Sequence, residues 1–415
     1  MAGDTNGLLT LKQLVDKTEE IVNKVNKIIT TEPSIILYVG NGISPEKLHS
    51  DKLPKNFIYN YQKTYPKEYQ ESVLNNAEKT LKSLRFNNKD IENVDMEKFI
   101  IRLNKYLELK RKFIYFVKES CCLAKPTETH FSLYCFCILL NALRAVHLGI
   151  KNNENGLEKI PQLNPVIKLF TSNYDNLIEK AFLFRNNNEY KILWKNRIGL
   201  ENKKICDNFS NNIDFIPLIP SFKSYIDENS ELTGMLPIIP IHNSIRTTKC
   251  EQCGEELMSE IIGMGEQKCI YCGFDIPDII IPTEEKKAKE YLYNLFFDEI
   301  KDADIIIFIG YGFKDFYING QLNDILNSKK NKLIINFCHI PMSQVAGISE
   351  SIKKHDLIDI CFDLPYSLDY SNYLISKKLK DKIDETKQKN NLDGLYEGWK
   401  TIWEEYEKEN IKRDN

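Results

Sequence analysis

Four groups of residues in this chain have the types and spacing to do chemistry. The first is a pair of Cys-x2-Cys steps, Cys250/Cys253 and Cys269/Cys272, with fifteen residues between them. Four thiolates in this pattern suit the tetrahedral site that zinc takes, and Gly254 and Gly273 follow where each turn calls for positive φ. With sulfur in all four positions such a zinc is structural, with no open place for a substrate. Disulfides are the alternative, disfavoured in a reducing compartment. The second group is His242-Asn-Ser244, directly after the apolar run Leu236-Pro-Ile-Ile-Pro-Ile241. A histidine there can be a general base at the rim of a site, or an ordinary structural histidine. The third is Thr171-Ser-Asn-Tyr-Asp175, which follows Val166-Ile-Lys-Leu-Phe170. Polar residues just beyond a strand's carboxyl end are where open α/β sheets keep ligands, but Asn173 or Asp175 could equally cap the helix predicted from Leu177 to Phe184. The fourth is two Gly-x-Gly turns, Gly40/Gly42 leading to Ser44, and Gly310/Gly312. Each is either a tight turn or a place where backbone N–H groups reach a pyrophosphate unhindered by a Cβ.

The elements that must position these groups follow from hydrophobic pattern. Ser34-Ile-Ile-Leu-Tyr-Val39 and Asp304-Ile-Ile-Ile-Phe-Ile309 are continuous apolar runs that end in glycine turns, and Lys332-Leu-Ile-Ile-Asn336 is a further strand. Runs buried on both faces and separated by helices predict an α/β fold with a doubly wound parallel sheet. Leu8, Leu11, Val15, Val22, Val25 and Ile29 recur at helical spacing before the first strand, ending at Glu32-Pro33. This helix docks on the core or serves an oligomer contact. After Ser44 the chain turns polar and lysine-rich to about residue 60, and 66–120 reads as a helical insertion. Lys125-Pro-Thr-Glu-Thr-His130 opens an apolar helix, with Pro126 in its first turn, Thr127 or Thr129 as cap and His130 as a packed, hydrogen-bonded histidine. The tail from Lys377 is helical, and Leu395, Tyr396, Trp399, Ile402, Trp403 and Tyr406 form a stripe for core docking or a partner.

Composition bounds the rest. The 415 residues, 42% hydrophobic and 28% charged, suffice for two domains or one domain with insertions. A net charge of −3 gives no general pull toward nucleic acid. The N-terminus lacks the basic and apolar regions of a signal peptide, and no apolar run approaches the ~20 residues of a membrane span. The expectation is a cytoplasmic protein. Eleven cysteines is an odd number. Cys121, Cys122, Cys135, Cys137, Cys206, Cys338 and Cys361 read as small core hydrophobes.

In order and spacing, Gly40-Asn-Gly-Ile-Ser44, Pro126-x3-His130, Thr171-Ser-Asn-Tyr-Asp175, His242-Asn-Ser244, the cysteine pairs, Gly310-Tyr-Gly312 and Asn336 resemble the sirtuin family over residues 33–340. The resemblance implies that the sheet is Rossmann-like and belongs to an NAD-binding catalytic domain at 33–345, preceded by an N-terminal helix at 1–32. Within it lie a helical insertion (61–120) and a zinc module (246–280), and a C-terminal helical extension (346–415) follows. It implies that Gly40, Asn41, Gly42, Ser44 and Thr171 hold the cofactor, with the first glycines and Ser44 at the pyrophosphate. Gly310, Gly312 and Asn336 would line the adenosine side. Asn173 would sit at the nicotinamide ribose, Asp175 would support it, and His242 would act on the ribose hydroxyls.

Several positions depart from the protein-deacylating members. Those carry alanine at Asn41, glutamine at Ser172 and glycine at Asn243. Their Pro-Asp-Phe-Arg segment is matched here only by Leu53-Pro-Lys-Asn-Phe57, and their Phe-Gly-Glu after the zinc module by Ile280-Ile-Pro-Thr-Glu-Glu-Lys286. The cofactor half of the pattern is present and the peptide half is not. That combination, together with Gly310-Tyr-Gly-Phe-Lys-Asp315-Phe-Tyr-Ile-Asn319, looks like the sirtuin-like NAD hydrolases of bacterial antiphage defence. It implies a homo-oligomer working with a HerA-type ATPase or another defence sensor. A deacylase, or a non-catalytic NAD or ADP-ribose sensor, are the alternatives.

Overall fold

The structure, a computed structural model, describes residues 9–31, 33–49, 51–64, 66, 96–103, 107–152, 167–183, 238–241, 247–249, 256–258, 267–268, 272, 275–276, 278–279, 290–327, 331–345 and 347–390. Its centre is a six-stranded parallel sheet. In chain order the strands are β1 (Ile35–Val39), β2 (Ile167–Thr171), β3 (Ile238–Pro240), β9 (Ile305–Ile309), β10 (Leu333–Phe337) and β11 (Asp356–Ile360). The spatial order is β11-β10-β9-β1-β2-β3, with every pairing parallel. Counted along the large sheet alone this is the order 3-2-1-4-5-6 of a doubly wound dinucleotide-type sheet, which reverses between β1 and β9.

The strand side chains alternate between two cores, as a pleat requires. Ile35, Leu37 and Val39 join Ile305, Ile307, Ile309, Leu333, Ile335 and Phe337 on one face. Helices α1 (Leu11–Ile28), α5 (Glu128–Asn152) and α10 (Leu364–Asn390) supply the rest of that core. Ile36, Tyr38, Ile306, Phe308 and Ile334 point the other way. There they meet α7 (Glu290–Asp302), α8 (Phe316–Leu326) and the short α9 (Ser349–Ile352).

Helix α1 begins at a reciprocal cap, with the Thr10 hydroxyl oxygen accepting from Gln13 N and the Gln13 side chain accepting from Thr10 N. It docks on the core: Leu14, Ile21, Val22 and Val25 are buried, Lys17 donates to the Asp359 carbonyl and Lys24 pairs with Asp356.

The boundary expected at residue 345 does not hold. Residues beyond it form β11, whose five positions pair with β10, and α10 packs along α5. Asp356 and Asp359 interrupt the apolar pattern of β11, as a partly exposed edge strand allows, and they hid it from a periodicity reading.

The insertion also starts earlier than expected. Helix α2 (Leu53–Thr64) lies in the stretch read as polar, and α3 (Met96–Leu103) and α4 (Leu107–Leu123) join it in a separate cluster. Leu53, Phe57 and Tyr61 form its buried stripe, and the Phe57 ring meets Phe99 and Phe113 edge-on. Helix α6 (Leu177–Leu183) follows β2 as expected. The smaller strands β4 (Thr247–Lys249), β5 (Glu256–Met258) and β8 (Asp278–Ile279) form an antiparallel sheet, and β6 (Gln267–Lys268) pairs with β7 (Asp275–Ile276). The Leu395–Tyr406 stripe lies outside the described residues.

Candidate functional site

The two glycine turns leave the carboxyl ends of the adjacent strands β1 and β9, at the point where the sheet order reverses. They touch each other. Gly40 N donates to Ile309 O at 2.9 Å and Gly42 N to Gly310 O at 2.9 Å. A Cβ on Gly40 would stand 2.5 Å from Tyr311 Cα, and one on Gly42 would stand 2.7 Å from Gly310 O. Gly310 itself has φ +62, and its N–H donates to Phe337 O at 2.8 Å. These glycines are thus required by backbone-to-backbone contact between the turns. Both N–H groups are used within the fold, on Ile309 O and Gly310 O, so these glycines shape the turns by the close approach they allow. Gly312 differs: its nearest neighbour is the Lys314 side chain, at 3.9 Å from an added Cβ. Phe313 has φ +51, and Asp315 then caps α8 by accepting from Tyr317 N and Ile318 N.

Beside this junction, the end of β2 brings together Ser44, Thr171, Asn173 and Asp175, all buried. Thr171 donates its hydroxyl to Val39 O (2.9 Å) and accepts from Asn173 N (3.0 Å), which ties the Asn173 backbone to the end of β1. Ser44 Oγ donates to Asp175 Oδ2 at 2.5 Å and accepts from Asn173 Nδ2 at 3.2 Å. Asp175 Oδ1 accepts from Leu177 N at 3.1 Å, so Asp175 serves both as the start of α6 and as a member of the cluster. The two roles open in the sequence are held by its two oxygens; Asn173 caps nothing. Burial pushes the Asp175 carboxyl up from 3.8, against the pull of the Ser44 hydroxyl, the Leu177 N–H, Lys180 and His49. Among the described residues no donor meets Asn173 Oδ1, although it is buried.

His49 was not singled out by sequence reasoning. Its Nε2 lies 3.0 Å from Ser44 O, behind the serine that links Asn173 to Asp175. Only its position five residues after Ser44 pointed to it. His130 is a packed histidine: fully buried, its Nδ1 accepts from Thr127 N at 3.0 Å, while the Thr127 hydroxyl donates to Ile43 O. Pro126 stands just outside α5 rather than in its first turn.

Asn336 does not line an open surface. It is fully buried, and its Nδ2 donates to Asp359 Oδ1 (2.7 Å) and Ile340 O (3.1 Å). Asp359 also accepts from Met342 N, so the pair locks the turn after β10. The amide donor of Asn336 is thus used inside the fold, while its Oδ1 meets no donor among the described residues.

His242 lies outside the described residues. Its neighbour Ile241 is held by a hydrogen bond from its N–H to Thr171 O at 2.9 Å, at the end of β2 and two residues before Asn173. Cys250, Cys253 and Cys269 also lie outside them, while Cys272 is described and exposed. Lys249 pairs with Glu256 and Lys268 with Asp275, so each Cys-x2-Cys falls in the connection closing an antiparallel hairpin. Among the described residues no three potential metal ligands cluster, and no helix is long and apolar enough to cross a membrane.

No protein-family model and no curated protein matches the chain. Among solved structures it is similar to a Sir2 homologue in complex with NAD, at 14% identity and a TM-score of 0.40, over 86% of this chain and 94% of that one. A Sir2 homologue variant in complex with ADP-ribose gives 16% identity and 0.41, over 86% and 97%. Sir2Tm bound to a propionylated peptide gives 13% and 0.39, over 87% and 98%. Likeness at this level assigns the chain to no family, and the fold rests on its own strand order.

Proposed function

We propose that the chain is an NAD hydrolase that releases nicotinamide and ADP-ribose, and that it acts by NAD depletion in bacterial antiphage defence. The observation that carries this reading is the polar cluster Ser44–Asn173–Asp175 beside the β1/β9 reversal. Open α/β sheets bind dinucleotides in the crevice outside that point. Thr171 roots the cluster, and on this reading Asn41, Gly312 and the turns shaped by Gly40, Gly42 and Gly310 meet the cofactor.

Breaking the nicotinamide–ribose bond passes through a cationic, oxocarbenium-like sugar, so holding the ribose rigid supplies much of the catalysis. Asn173 holds the ribose or the attacking water. Asp175 keeps the loop in place. His242 accepts a proton as water adds to the anomeric carbon. The bond from that carbon to the nicotinamide nitrogen breaks, and a C–O bond forms.

Cys250, Cys253, Cys269 and Cys272 would hold one structural zinc. The support is the placement of each cysteine pair at a hairpin closure, together with an all-thiolate donor set that suits zinc. A hydrolase of this kind must be restrained, so we assign control to a partner such as a HerA-type ATPase, in a complex built on a homo-oligomer in the cytoplasm.

The test is NAD turnover by the purified chain, with and without the co-expressed ATPase, read as nicotinamide and ADP-ribose. The expected outcome is acyl-peptide-independent loss of NAD, lowered at least about 100-fold in His242→Ala and in Asn173→Ala. Turnover that required an acylated lysine peptide would replace the hydrolase with a deacylase, and ligand binding without turnover would leave a sensor.

A further inference from the structure

A side-chain amide has a donor end and an acceptor end, and which end faces a ligand decides what it can recognise. At Asn173 the choice is made by Asp175 and the Leu177 N–H just after it, passed on by Ser44 from the end of another strand. The Leu177 N–H can only donate, so Asp175 Oδ1 must accept it. Asp175 Oδ2 is then left for Ser44, whose hydroxyl has a single hydrogen. With that hydrogen on the carboxylate, Ser44 Oγ can offer Asn173 only lone pairs. The NH2 end of Asn173 must turn to it, as the 3.2 Å Nδ2–Oγ contact has it. Oδ1 is the end left over. It is buried, and no donor meets it among the described residues.

We infer that Asp175, acting through the Ser44 hydroxyl, sets the polarity of the Asn173 amide so that the ligand meets an acceptor. Asp175 and Ser44 are positioning residues, and Asn173 is the group that touches the ligand. The site therefore selects a hydrogen-bond donor at this point, a sugar hydroxyl or a water molecule, and disfavours a carbonyl or ether oxygen. This rests on the reading of the site as one that binds an ADP-ribosyl compound.

Asp175→Asn tests the direction of the relay. The new amide keeps its oxygen on the Leu177 N–H and presents NH2 to Ser44. The serine then donates toward Asn173, which turns its own NH2 outward. ADP-ribose affinity of the folded full-length protein, measured by calorimetry, should fall at least about tenfold in Asp175→Asn. It should recover to within about threefold of the parent in the double variant Asp175→Asn/Asn173→Asp, where the relay runs backward into a carboxylate that again offers an oxygen. A double variant no tighter than the single one, or a single variant that binds like the parent, would overturn the inference.

A second readout needs no ligand. In protein with selectively labelled asparagine, the Asn173 side-chain amide protons should be protected from exchange, and Ser44→Ala should abolish that protection. Unprotected protons in the parent reject the relay even if NAD is cleaved. A parent that binds neither ADP-ribose nor NAD, yet shows the protected amide, rejects the functional reading and leaves the relay standing.

Discussion

His130 shows at the scale of one residue how burial becomes a pH dependence. Its ring is fully buried at the start of α5, and burial lowers its pKa from 6.5 to about 3. The folded state keeps the ring neutral, while the unfolded chain protonates it below about pH 6.5. Between about 3 and 6.5 the unfolded state binds more protons, so stability is full above that window and is lost as pH falls through it. Between pH 7 and pH 5 the loss from this group is about 2 kcal/mol, readable as a drop in the urea midpoint. His130→Gln should remove that part of the pH dependence and lower stability at pH 7. Asp175 works in the opposite sense: its raised carboxyl makes the ionised form costly in the fold, a cost that grows as pH rises through the raised value. Since the relay uses the ionised form, activity should rise with pH through an acid limb raised from the carboxyl's ordinary 3.8, and that limb should disappear in Asp175→Asn.

At the scale of elements, the junction of the β1 and β9 turns distinguishes glycines that look alike in sequence. Gly42→Ala would push a methyl to 2.7 Å from Gly310 O, and both partners are backbone. A loss of about 1–3 kcal/mol is expected in denaturant unfolding, since neither turn can give way without moving a strand end. Gly312→Ala, with its nearest contact at 3.9 Å, should change stability by less than about 0.5 kcal/mol. Equal losses at the two positions would mean that the contact between the turns does not govern them. The same junction explains why the Gly-x-Gly spacing was legible while its purpose was not. Gly42 and Gly310 are far apart in the chain, and a local pattern cannot say which backbone meets which.

For the whole molecule, one sheet gathers segments from nearly the full length of the described chain, from Ile35 in β1 to Ile360 in β11. The helices of the insertion form their own cluster to one side, around Phe57, Phe99 and Phe113. The cysteine hairpins likewise lie on small sheets separate from the large one. Metal analysis of the purified chain should therefore find one zinc per chain. Cys250→Ser should lose that zinc while the far-UV signature of the main sheet persists. A protein free of metal, with the four cysteines unmodified, would reject the zinc site.

What the sequence determined by itself was set by short-range physics. Apolar, β-branched runs such as Ile35–Val39 and Ile305–Ile309, short and ended by glycine turns, read as strands buried on both faces, and Leu177 after Asp175 reads as a helix start. Tertiary structure alone decided the strand order, the membership of β11 and the partners of the polar groups. Asp356 and Asp359 kept β11 out of the apolar pattern, within a stretch expected to be helical, and only its pairing with β10 shows the strand. Asn336 gives its amide N–H to Asp359 on the neighbouring strand, a partner that no local pattern could name. Ser44, Asn173 and Asp175 were each visible as polar residues after strands. Their linkage depends on bringing the ends of β1 and β2 side by side, where hydrogen-bond distances of a few ångströms decide which atom is taken and which is left for a ligand.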